Sequence, residues 1–143
     1  RFMGEEAVLT ASFSQRGLVA EYGVSWILPR LIGVSKTLDL LWTSRKIKVD
    51  EAKEMGLVDK VFPAVEVAAQ ARAYIEELGA KAAPYSLMMM KRQVYRHLAM
   101  PLGEAVAETT RWIAESTARD DFKEGVNAYL EQRPPRFGRV KAG

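Results

Sequence analysis

Glu21 stands in the turn Gly17-Leu18-Val19-Ala20-Glu21-Tyr22-Gly23, bracketed by glycines and followed directly by an apolar run that contains Trp26. A carboxylate at that place faces either an apolar cavity or water. In a cavity, burial disfavours its charged form, which raises the pKa and makes it a candidate for proton transfer. In water it is an acid at a helix start, interacting favourably with the helix dipole. Phe13 and Trp26 flank the turn in sequence, and each either lines a pocket there or packs in a core.

The other residue types exclude more chemistry than they offer. The chain has no Cys, which removes disulfides, a thiolate nucleophile and Cys-based zinc or iron–sulfur sites. His97 is the only His and has no second ligand nearby in sequence, so no metal site is expected and a surface or interface role is. Met88-Met89-Met90 reads as gap-filling core or subunit contact rather than a pocket lining. Gly17 with Gly23 is too sparse for a phosphate-cradling loop. The 21 Lys and Arg against 18 Asp and Glu leave a net charge of +3, and the positives are scattered. No nucleic-acid footprint results, although mild basicity suits a phosphate-bearing ligand. No apolar run has the roughly 20 residues needed to span a bilayer. No membrane association is expected, and the chain reads as soluble, with a cytoplasmic location compatible with its composition. Its opening, Arg1-Phe2-Met3-Gly4, reads as a start in mid-element.

The elements that must position these residues follow from periodicity. Phe2 to Leu9 alternates weakly and predicts two short strands or a strand and turn. Val24, Ile27, Leu28 and Leu31 follow helical spacing, with Gly33 as the stop. Ser35 is the expected cap of a second helix, whose Leu38, Leu40, Leu41 and Trp42 predict a largely buried segment. Asp50 to Gly56 reads as a short helix with early acids and a left-handed stop, and Lys60-Val61-Phe62 as a strand. Four helices are then predicted. One starts from Ala64 and ends at Gly79, one follows Pro84, and one runs from Leu102 to Ser116. The last extends from Phe122 to Gln132, with Asp121 and Glu124 resembling a capping box. The tail from Arg136 to Gly143 is expected to be mobile.

Several of these signals occur in a distinctive order. Gly17-Leu18-Val19 is followed by Leu28-Pro29-Arg30-Leu31-Ile32-Gly33 and by the helix end Leu40-Leu41-Trp42-Thr43-Ser44-Arg45. Next come Asp50-Glu51-Ala52 through Gly56-Leu57-Val58, then Lys91, and at the close Arg133-Pro134-Pro135-Arg136-Phe137. Taken together, over essentially all 143 residues, the chain resembles the C-terminal half of the enoyl-CoA hydratase/isomerase family, the crotonases.

The resemblance implies an α/β fold, a spiral of strand-strand-helix turns followed by a helical trimerisation region. Residues 1–63 would be the last part of the spiral, 64–133 the helical oligomerisation region and 134–143 a tail, mostly α within this chain. It also implies an acyl-CoA thioester as substrate, with no cofactor beyond the coenzyme A of that substrate, and assembly as a homotrimer or hexamer. The strands and loops that supply the family's two oxyanion-hole N–H groups match no part of this chain. Hydratases of the family carry a Glu at the place of Phe13, whereas a branch with double-bond isomerases carries an acid at the place of Glu21. The resemblance therefore marks Glu21 as the proton-transfer residue and leans toward isomerisation over hydration. Phe13 and Trp26 would bound the acyl chain, and Tyr129 and Arg133 on the terminal helix would approach the acyl pocket or the CoA. Gln132 stands where Lys is frequent, leaving Arg133 as the substitute donor or simply a cation at a helix C-terminus. A different class of reading, a non-catalytic helical self-association module, rests on the amphipathic stripes and the scarcity of strands.

Overall fold

The computed structural model describes residues 1–138, and the chain divides into two compact units, Arg1–Ala73 and Tyr74 onward. In the first unit, strand β1 (Phe2–Gly4) pairs in parallel with β4 (Lys60–Phe62), placing Met3 opposite Val61. A second ladder joins β2 (Val8–Leu9) to β3 (Ile47–Lys48) in antiparallel fashion, with Leu9 opposite Ile47. Between the strands lie α1 (Val24–Ile32), α2 (Val34–Thr43) and α3 (Val49–Glu54). Their apolar faces close a core of Met3, Ile32, Leu40, Ile47, Val49, Ala52 and Val58. Strand β4 occupies the three residues read as a strand, and of the two alternatives for Phe2 to Leu9, two short strands or a strand and turn, the first is the one present.

Two junctions depend on backbone that only glycine adopts cheaply. Gly33, at φ 80° and ψ 163°, is the single residue between α1 and α2 and caps both. Ser35 therefore lies inside the first turn of α2 and does not cap it, a correction to the expected boundary; Thr37 Oγ1 instead donates to the Gly33 carbonyl at 2.8 Å. Gly56, at φ 84°, supplies the left-handed stop after α3, as expected. The segment expected to be largely buried is so only on one side: Leu40 is buried, but Trp42 is 69% exposed. The helical period carries Trp42 off the core face that Leu40 and Thr37 share.

Helix α4 (Val67–Lys81) runs through Gly79 rather than stopping there. Gly79 does not adopt a positive φ, and Ala82 N–H continues the pattern by donating to Leu78. The break comes at Pro84, which occupies the first turn of α5 (Pro84–His97) and restricts the residue before it. In the second unit α5 is followed by α6 (Leu102–Thr117) and α7 (Asp120–Leu130). Few large side chains are buried on these helices. Met89, Ala105 and Ala128 are enclosed, whereas Leu102, Val106, Ile113 and Leu130 are all more than half exposed. Among the described residues, no helix is long and apolar enough to cross a membrane.

The expected capping box of α7 does not form. Arg119 is the N-cap and makes no side-chain cap bond, while Asp120 and Asp121 both sit in the first turn. Glu124 turns away to accept two hydrogen bonds from Arg133, at 2.7 and 3.0 Å, and one from the Arg136 backbone N–H at 2.6 Å. A charge-assisted fork outcompetes one backbone amide for a carboxylate. Of the tail expected to be mobile, residues 139–143 lie outside the described residues.

Candidate active site

The first unit contains an open apolar cavity of about 430 Å³. Its wall combines Met3 and Leu9 from the strands, Phe13 from the following segment, Val24 and Leu28 from α1, and Ile47 from β3. These residues meet because α1 and the β2–β3 ladder each turn one apolar face inward. Phe13 is half-buried there, so of the residues expected to bound an apolar ligand it is the one that lines the cavity.

Trp26 is on the outer side of α1, 45% exposed, with the Arg30 guanidinium stacked 3.9 Å from its ring centre. That contact is a cation–π pair one helical turn apart. Glu21 is exposed and does not line the cavity. Its carbonyl accepts the Val24 N–H at 3.0 Å, and Val24 does line the cavity. The acid is thus carried by the segment that enters the cavity wall. Tyr22 beside it takes a left-handed φ of 53°, between Glu21 and the left-handed Gly23 that begins α1.

Arg45 escaped the sequence reading. It lines the cavity and forks onto two carboxylates, Glu51 at 2.6 and 2.9 Å and Asp39 at 2.9 and 3.0 Å. The hydrogen bonds it donates to Glu51 first, then those to Asp39, hold the guanidinium far above its usual range, and the bonds from Arg45 hold the Glu51 carboxyl below its own. The available signal was spacing: an acid stands six residues to either side of Arg45.

In the second unit, Tyr129 is 82% exposed and borders an apolar groove of about 480 Å³ with Tyr85, Phe122, Val126 and Phe137. Arg133 is committed to Glu124 and Glu131. Those two bonds hold its guanidinium far above the usual range, while Arg133 first and the Arg136 amide second bring Glu124 down to about 2. Behind α5, Glu108 is nearly enclosed. Burial pushes its carboxyl up, but the Arg96 fork at 2.9 and 3.2 Å and the neighbouring His97 together outweigh this and leave it lowered. His97 stacks on Trp112 with ring centres 6.0 Å apart, and its Nε2 lies 3.4 Å from Glu108 without the alignment of a hydrogen bond. The ring is partly covered, 23% exposed, and packs within its own unit, where a surface or interface role was expected.

Residues 1–140 match the family described as enoyl-CoA hydratase/isomerase. The chain belongs to that family. An enoyl-CoA hydratase of Alternaria alternata is 31% identical over 142 residues, covering 96% of this chain and 46% of that protein. A peroxisomal Delta(3,5)-Delta(2,4)-dienoyl-CoA isomerase of Arabidopsis thaliana is 27% identical, covering 98% and 50% respectively. The crystal structure of an enoyl-CoA hydratase from Bacillus anthracis superposes with a TM-score of 0.90 at 27% identity, over 96% of this chain and 53% of that one. The fold is therefore crotonase-like, and the chain spans about half the length of the curated relatives it matches.

Proposed function

We propose that the protein is an acyl-CoA enzyme of the crotonase type, moving a proton on an enoyl thioester, with Glu21 as the group that carries it. In the isomerase form of the reaction, the Glu21 carboxylate takes a proton from C2 of a 3-enoyl thioester. Returning it at C4 shifts the double bond to C2–C3 with no net change of atoms. The observation that carries this reading is the connection of Glu21 to the cavity. The acid's backbone is bonded to Val24, whose side chain forms part of an apolar wall suited to an acyl chain. Phe13, at the place where the resemblance puts a hydratase carboxylate, favours migration over water addition. Family membership supplies the thioester class.

The test is Glu21→Gln in a protein of full family length that carries these residues, assayed with 3-enoyl and 2-enoyl thioesters. Loss of a general acid–base group lowers turnover by about 10²- to 10⁴-fold. Unchanged turnover of both substrates removes Glu21 from the mechanism. Water addition without double-bond migration moves the reading to hydration. The 143-residue chain alone is expected to show no turnover, since removing even one oxyanion donor costs about 10²- to 10³-fold and the resemblance places both outside these residues.

A second reading, self-association through the helices from residue 64 to 132, is favoured by the apolar side chains exposed there, among them Ile75, Leu102, Ile113 and Leu130. In the acyl-CoA reading the same faces would build a homotrimer or hexamer. Sedimentation as a monomer, with no binding of a dye specific for apolar surface, would count against either assembly.

A further inference from the structure

The segment that carries Phe13 is fastened to the end of α2 almost entirely by side chains. Ser14 Oγ donates to the Trp42 carbonyl at 2.7 Å, Gln15 Nε2 to Thr43 at 3.1 Å, and Thr10 Oγ1 to Ser44 at 2.9 Å. These are carbonyls that a helix terminus leaves without intrahelical partners. In return the hydroxyl of Ser44, which is 5% exposed, reaches the Ala11 carbonyl at 3.0 Å and the Ser14 hydroxyl at 2.9 Å. Each hydroxyl has one proton, and those of Thr10 and Ser14 are committed to α2. The Ser44 proton is therefore shared between Ala11 and Ser14. Ala11 loses nothing by the sharing, because the Phe13 N–H also donates to its carbonyl at 2.8 Å. The clasp keeps every buried group paired in both arrangements, and both fix the backbone on either side of Phe13.

We propose that Ser14 and Ser44 are positioning residues for the cavity wall. By locking this segment onto α2 they set where the Phe13 ring stands, and so limit the length of acyl chain that the cavity admits. This rests on the reading that the cavity takes the acyl part of a thioester. Neither hydroxyl touches the reacting atoms; each acts through Phe13.

Ser44 offers a variant that separates positioning from folding. Its backbone is left-handed at φ 50°, a conformation that glycine adopts without penalty, so Ser44→Gly removes the hydroxyl while relieving the backbone. The test titrates the 143-residue chain with S-methyl octanethioate and S-methyl butanethioate, followed by NMR shifts of the cavity residues. A hydrogen bond of ordinary net strength corresponds to a factor of about five. Ser44→Gly and Ser14→Ala should each raise the octanoyl-to-butanoyl affinity ratio about fivefold, and Ser14→Thr should restore it. Exchange of the Leu18 amide, which donates to the Phe13 carbonyl at 3.0 Å, should quicken in the same two variants. An unchanged ratio in Ser44→Gly and Ser14→Ala overturns the proposal, whatever the amide does, because a purely structural clasp would alter exchange alone. Failure of either thioester to bind the parent chain sinks the acyl-cavity reading itself. That result is distinct from binding with an unaltered ratio.

Discussion

Ile47 joins the fold and the cavity in one side chain, and truncating it tests both. It is 2% exposed, pairs with Leu9 across the β2–β3 ladder, packs among Met3, Leu40, Val49, Ala52 and Val58, and forms part of the cavity wall. Truncating a core Ile to Ala costs about 2–5 kcal/mol, the spread reflecting how much void remains sealed. Here the new space adjoins a cavity that is already open, so part of the sealed-void penalty is absent. Ile47→Ala should then cost about 2–3 kcal/mol, and Ile47→Val about 1 kcal/mol. Urea unfolding of the 143-residue chain, followed by far-UV circular dichroism, gives the free energies. Hydrogen exchange of the β2–β3 amides checks that the loss arises in this unit. A cost below about 1 kcal/mol for the Ala variant would mean that Ile47 is not core. A cost at the top of the range, near 5 kcal/mol, would mean that the void is sealed and the cavity wall has been misplaced.

Two further outcomes follow from single contacts. Gly56→Ala places a Cβ 3.8 Å from the Leu31 carbonyl, an ordinary contact, so its cost should be the left-handed backbone alone. That is about 1–2 kcal/mol, and a urea midpoint equal to the parent's would refute it. Glu124 is held down to about 2 by Arg133 and the Arg136 amide, against 4.5 unperturbed. A depressed carboxyl contributes stability that is present above its unfolded pKa and lost as pH falls through the folded one, so the gap between the parent chain and Glu124→Gln should close between about 4.5 and about 2. A gap that stays constant with pH would show that the ion pair does not act on folding.

What the sequence disclosed was governed by how local each signal is. Lys60-Val61-Phe62 was legible as a strand because Gly and Pro residues isolate a short β-branched and aromatic run. The start of α5 was legible from Pro84. The failures came where a local rule met a competitor. Ser35 lost its capping role because Gly33 serves both helices, and Gly79 did not stop α4 because nothing required a left-handed residue there. Glu124 fits a capping box by spacing, yet a guanidinium nine residues later takes it. The hydroxyl clasp is beyond any local rule, since its partners are 28 to 34 residues apart. Its one sequence trace is the alternation of hydroxyls at Thr10, Ser12 and Ser14.

The candidate site shows the same division more sharply. Phe13 was singled out by position, and it lines the cavity; Glu21 was singled out in the same way, and it stands exposed on the connecting turn. A carboxylate that moves protons between carbons works best when water is kept from it and the surroundings are apolar. The first unit supplies an apolar wall and an anchored backbone, through Val24 and the bracketing left-handed residues Tyr22 and Gly23, but it does not cover the acid. In the reading proposed above, the cover has to come from outside this unit, from the substrate's acyl chain or from other polypeptide. Catalytic competence would then depend on assembly and not on this unit's stability. On that view, substitutions that weaken the core away from the cavity wall, such as Ile32→Val, should lower stability without a proportional loss in turnover per folded molecule, whereas Glu21→Gln should do the reverse.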